Sequence, residues 1–190
     1  VVFAHGSGSS RLSPRNKHVA GILNSAGLAT VLFDLLTEDE ASDRENVFDT
    51  AMLSERLVSV IEWVARQEWA RGLRIGLFGA STGAAAALCA AAHRPESVAC
   101  VVSRGGRPDL AMEDLPAVKC PVQLIVGSLD RVVMDLNRQV EGLLGGPHSL
   151  VAIPGATHLF EEPGTLDLAA QAAQEFFVRH LRWPAIAAAG

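Results

Sequence analysis

No stretch of about twenty uninterrupted apolar residues occurs in this 190-residue chain, so the sequence offers no membrane span. No charged segment followed by a short apolar run opens it, so no secretory signal is visible and a cytoplasmic location is expected. Blocks of one charge sign are absent too, and the net charge is −5, which argues against nucleic acid as a partner. Cysteine is scarce: there are three, an odd number without metal-ligand spacing. Cys89 and Cys100 lie in apolar runs and read as small buried residues in a reducing compartment. Neither a metal nor an organic cofactor is expected. Charged residues make up only 19% against 49% apolar, a composition that excludes a disordered chain. There is no internal repeat and no low-complexity linker, so residues 1–190 read as one domain with a sizeable core.

What the chain does have is alternation. Apolar strand-like runs recur at Val1–Ala4, Leu28–Phe33, Leu73–Phe78, Val98–Ser103, Val122–Val126 and Leu150–Ile153. Helical patterns fall between them. One opens at Ser13-Pro14, an N-cap followed by proline at the first helical position, and runs to about Ser25. The longest runs from Val47 to about Trp69, with Leu53, Leu57, Val60, Ile61 and Val64 on one face. Others cover Ala84–His93, Val132–Leu144 and Leu166–Leu181, and Leu110–Leu115 reads as a short helical turn. Ala185–Gly190 reads as a frayed tail. Repeated strand, helix, strand predicts an α/β fold: an open, mostly parallel sheet with helices on both faces. Runs apolar throughout, such as Val122–Val126, suit strands buried on both faces.

Chemistry enters at Gly79-Ala80-Ser81-Thr82-Gly83, a G-x-S-x-G between a strand and an alanine-rich helix. A serine on such a turn has its hydroxyl lifted off the sheet, and the flanking glycines let strand and helix close together. The first N–H groups of the following helix point to where an oxyanion would form. A serine nucleophile needs a base, and the base needs an orienting acid. Asp130 follows the strand ending near Gly127, and His158 follows the next. All three candidates lie at carboxyl ends of parallel strands, the edge where open α/β sheets bind ligands.

On these residues the chain resembles the α/β-hydrolase superfamily, and more narrowly its small, lidless, dienelactone-hydrolase-like members. His5-Gly6-Ser7-Gly8-Ser9-Ser10, Gly79-Ala80-Ser81-Thr82-Gly83, Gly127-Ser128-Leu129-Asp130 and Gly155-Ala156-Thr157-His158-Leu159-Phe160 carry the resemblance, which runs from residue 1 to about residue 182. It implies Ser81 as nucleophile, Asp130 as acid and His158 as base. It implies oxyanion donors from Thr82 and from the loop after the first strand, where Ser7 is the candidate. It also implies an antiparallel hairpin before Val1, so a chain that begins inside a strand without an initiator Met reads as part of a longer one. The best-known ring-opening members carry a cysteine nucleophile; here the residue is Ser81.

Each residue has a plainer reading. Ser81 suits a tight turn, Asp130 suits a helix cap, and His158 suits a surface loop. Asp109, after the neighbouring strand, competes with Asp130 for the acid. His5 reads as a structural residue holding its loop. Arg104 and Arg107 stand where a substrate carboxylate or phosphate could be held, or else form a solvated loop pair. Leu110, Met112, Met134 and Phe160 are candidates for the pocket wall or for the core. Only 17 residues, 104 to 120, separate Ser103 from Pro121, too few for a lid domain, so the site is expected to be open. The partner expected is a small acyl compound; oligomeric state is not legible. The leading function is a carboxylic-ester hydrolase acting on a small ester, lactone or thioester. The alternatives are a non-catalytic binding module on the same fold, or an acyltransferase or perhydrolase using the same serine.

Overall fold

A computed structural model describes residues 1–182. Six strands form one sheet: β1 (Val2–Ala4), β2 (Val31–Leu32), β3 (Ile75–Ala80), β4 (Val98–Arg104), β5 (Val122–Gly127) and β6 (His148–Ile153). Their order is β2-β1-β3-β4-β5-β6, and every neighbouring pair is parallel. The helices are α1 (Pro14–Ser25), α2 (Glu38–Ala41), α3 (Arg44–Phe48), α4 (Thr50–Ala65), α5 (Thr82–His93), α6 (Arg131–Glu141) and α7 (Thr165–Leu181). Among the described residues no helix is long and apolar enough to cross a membrane.

The strand residues alternate between two cores. Val2, Ala4, Leu77, Val101 and Leu124 pack with Leu53, Leu57 and Ile61 of α4 and with the alanines of α5. Phe3, Phe78, Cys100, Val102 and Ile125 pack with Val19 and Leu23 of α1 and with Ala173 and Phe177 of α7. Helices thus cover both faces, as the strand patterns require. Glycines set the closest approach. A Cβ on Gly83 would lie 2.2 Å from the Ala4 carbonyl oxygen, and one on Gly79 would lie 2.4 Å from Ala84 Cα. That spacing lets α5 lie directly under β1 and β3.

Three expectations change. The strand expected at Leu28–Phe33 shrinks to Val31–Leu32, because Gly27 turns left-handed (φ +80°) and the Leu28 N–H returns to the Leu23 carbonyl. The long helix expected over 47–69 is broken: Val47 and Phe48 end α3, α4 is started afresh by Asp49, whose carboxylate accepts from the Met52 N–H at 2.9 Å, and a 3₁₀ turn, Glu68–Ala70, follows. The turn expected at Leu110–Leu115 divides into two 3₁₀ turns, Pro108–Ala111 and Leu115–Ala117. The tail at Ala185–Gly190 lies outside the described residues.

Candidate active site

The chain reverses its direction of travel across the sheet between β1 and β3, which are neighbours although β2 comes between them in sequence. Such a switch point leaves a crevice at the carboxyl ends of the two strands. The loop after β1 and the turn after β3 meet there. A Cβ on Gly6 would lie 2.9 Å from Ser81 Cβ, so only glycine lets the two segments touch.

Ser81 stands between β3 and α5 with φ +52° and ψ −120°. A non-glycine residue in this region costs of order 1–3 kcal/mol and persists only when its surroundings hold it. They do: the Ser81 N–H donates to the Arg104 carbonyl at 3.2 Å. Its carbonyl accepts from Ala84 at 3.0 Å and from Arg107 at 3.2 Å.

Asp130 and His158 meet because the loops after β5 and β6 are stitched together. The Leu129 N–H donates to the Ala156 carbonyl at 2.9 Å, and the Gly155 N–H donates to Ser128 Oγ at 2.9 Å. Gly127 makes room, since a Cβ there would lie 2.4 Å from the Ala156 oxygen. His158 Nδ1 lies 2.7 Å from Asp130 Oδ2. A carboxylate only accepts, so Nδ1 carries the proton and Nε2 is left free as a base. Asp130 also caps α6, accepting from the Val133 N–H at 3.4 Å. The competing Asp109 is bound elsewhere, to Arg107 Nε and Nη2 at 2.8 and 2.7 Å.

Ser81 and His158 line one cavity of about 150 Å³, with Ser7, Arg15, Asn16 and Arg104 also on its wall. No hydrogen bond joins Ser81 Oγ to His158 here; such bonds often close only around a substrate. Thr82 opens α5, and its Oγ1 accepts from the Ser7 N–H at 3.1 Å, so the two expected oxyanion donors sit side by side. His5 holds the loop, accepting from the Leu35 N–H at 2.9 Å through Nε2.

Of the two arginines, Arg104 reaches the cavity and Arg107 turns to Asp109. Leu110, Met112, Met134 and Phe160 are absent from the wall; Phe160 packs beneath Arg104 instead. Asn16 and Arg15 escaped the sequence reading, although Ser13-Pro14 marks a helix that starts just after the first loop and so points its first turn at the sheet's active edge. A larger cavity, about 630 Å³, lies beside the same loop and shares Ser9. The smaller one is the candidate site, because the larger lacks the serine and histidine, and its Arg11 and Arg56 are paired with Asp34 and Glu40. The cysteines offer no rival nucleophile: burial pushes the Cys89 and Cys100 thiols up to about 12 and that of Cys120 to about 11. Among the described residues no group of side chains is arranged to hold a metal ion.

Comparison with known proteins agrees with this architecture. The sequence model of the dienelactone hydrolase family matches residues 15–185. A crystal structure of a dienelactone hydrolase from Anabaena variabilis superposes with a TM-score of 0.92 and 52% identity, covering 95% of this chain and 86% of the other. Est1E from Butyrivibrio proteoclasticus shares the fold, with a TM-score of 0.80 at 16% identity over 94% of this chain and 86% of its own. A Mycobacterium tuberculosis protein provisionally named a phosphoribosyl transferase is 54% identical over 184 residues. That match takes in 97% of this chain but 42% of the relative, so the chain spans less than half of its length.

Proposed function

The chain belongs to the dienelactone hydrolase family, and from that premise we propose that it is a serine hydrolase cleaving a small ester, lactone or thioester. One observation carries the reading: His158, with Nδ1 held 2.7 Å from Asp130 Oδ2, shares a cavity with a serine in a strained turn. Ser81 Oγ attacks the acyl carbon and passes its proton to His158 Nε2. Asp130 stabilises the resulting imidazolium. The oxyanion is met by the Thr82 N–H, and by the Ser7 N–H once it turns from Thr82 Oγ1. His158 then protonates the departing alkoxide or thiolate, leaving an acyl group on Ser81. Water repeats the sequence: it gives a proton to His158, attacks the acyl carbon, and Ser81 leaves with that proton as the acid is released. Every step uses this chain's own groups.

The chain matches only 42% of the mycobacterial relative, so the transferase name of that longer protein is not carried over to this chain. The test is activity-based labelling. A fluorophosphonate should label the native protein and not Ser81→Ala, and the variant should lose about 10⁴-fold or more in kcat on short acyl esters. Equal labelling of the two proteins would sink the reading.

A further inference from the structure

Arg104 is the last residue of β4, and its carbonyl binds the Ser81 N–H, so its side chain starts beside the nucleophile. The residue is only 7% exposed. Its Nε is buried without a hydrogen-bond partner, and Arg104 belongs to no ion pair among the described residues. Residues 183–190 contain no Asp or Glu that could supply one. The other arginines near this edge are matched: Arg11 by Asp34, Arg107 by Asp109, and Arg15 by Glu161 at 3.4 Å. Arg104 instead lies over the Phe160 ring, 5.4 Å from its centroid, and Phe160 adopts a left-handed φ of +55° to stand there. Burial, and then repulsion from Arg15, lower its pKa to about 10, so the guanidinium is still charged at neutral pH.

A buried charge without a partner is costly, and a fold that keeps one holds it for something that arrives later. A guanidinium fork matches the paired oxygens of a carboxylate or phosphate. We propose that Arg104 anchors an anionic group of the substrate, a carboxylate or phosphate, while Ser81 attacks a carbonyl a few bonds away. The cavity sets the length. At about 150 Å³ it is well below the roughly 300–1,000 Å³ of ordinary ligand clefts. The group attacked is therefore short, as in the half-ester of a small dicarboxylic acid. Arg15, engaged by Glu161, and Asn16 share this wall, but Asn16 Oδ1 can only accept, which leaves Arg104 to meet the anion. The reacting half of this proposal rests on the Ser81 reading; the anion site stands without it.

Two measurements separate them. In the first, pH-stat hydrolysis compares monoethyl succinate with ethyl butyrate. The native enzyme should prefer the anionic ester by about 10- to 100-fold in kcat/KM, a ratio that falls toward one in Arg104→Met and takes an intermediate value in Arg104→Lys. No preference in the native enzyme, or the same ratio in Arg104→Met, overturns a carboxylate anchor. In the second, calorimetry follows succinate and inorganic phosphate binding to Ser81→Ala, where no chemistry occurs. Binding of one of them that weakens at least tenfold in Ser81→Ala/Arg104→Met supports the anchor and identifies a carboxylate or a phosphate site. No binding of either, or binding insensitive to Arg104, overturns it. Hydrolysis that survives Ser81→Ala would remove the serine mechanism, while the binding of anions at Arg104 would still be decided by calorimetry.

Discussion

Asp130 has two tasks within one side chain, and they can be pulled apart. Oδ1 caps α6 and Oδ2 holds His158 Nδ1. Asparagine keeps a capping oxygen, so Asp130→Asn should leave thermal stability within a few degrees of native. It no longer requires a proton on Nδ1 and cannot stabilise an imidazolium, so kcat should fall about 10⁴-fold. Steady-state kinetics beside a thermal melt decides it: a large loss of stability with modest loss of rate would make Asp130 a cap and little more. Serine, aspartate and histidine were legible in the sequence because each follows a strand, in order, and strand ends converge on one edge. The two arginines were not separable in that way. They lie three residues apart with the same chemistry, and what distinguishes them is that Arg104 still belongs to β4 while Arg107 lies two residues before Asp109, the carboxylate that engages it. Arg15 and Asn16 were hidden for a related reason: a polar residue on a helix is buried or exposed according to what the helix packs against, which no local pattern records.

Among the elements, α5 shows most directly how sequence sets geometry. Ala84, Ala85, Ala86 and Ala87 are completely buried, so the helix has no large side chain to hold it off the sheet. Gly83 then brings its first turn against the end of β1. In Gly83→Ala the new methyl would meet the Ala4 and His5 carbonyl oxygens at 2.2 and 2.4 Å, both backbone atoms that cannot swing away. We expect a loss of about 3 kcal/mol in urea unfolding, with reduced labelling of Ser81 by a fluorophosphonate as the elbow shifts. Gly142 is the control: it has open space around it and an ordinary helical φ of −68°, so Gly142→Ala should be neutral or slightly stabilising, by up to about 1 kcal/mol. Equal effects at both positions would mean that crowding is not what glycine serves at 83. The elements that sequence reading missed, α2 and α3, lack any buried residue, so they carry no hydrophobic period to detect. Their stability is local: Thr37 and Glu40 cap α2 reciprocally, and Asp43 caps α3. Thr37-x-x-Glu40 is the sequence signal for α2, and Asp43 is the corresponding signal for α3.

For the molecule as a whole, alternation of strands and helices was enough to predict a parallel sheet covered on both faces, but not the order β2-β1-β3-β4-β5-β6. That order decides where the site lies, because the crevice opens where β1 and β3 part from the direction of β2. It also grades stability across the fold. β3, β4 and α5 are enclosed in the two cores, with Leu77, Val101, Val102 and Leu88 fully buried. Residues 38–48 are tied to the remainder chiefly by Arg56, which binds Glu40 through two hydrogen bonds of 2.6 and 2.7 Å in a half-exposed setting where an ion pair contributes little. Opening this segment exposes almost no apolar surface, so its amides should exchange through local fluctuation, whereas those of β3, β4 and α5 should exchange only through global unfolding. Hydrogen-exchange mass spectrometry should show peptides from 38–48 fully exchanged within minutes while peptides from 75–93 stay protected for hours. The segment borders the larger cavity beside the first loop, and Arg56→Ala should speed exchange in 38–48 without altering protection of 75–93. Uniform protection across both regions, or a common response to Arg56→Ala, would mean that the molecule opens as a single cooperative unit and that this flank of the site is as rigid as its core.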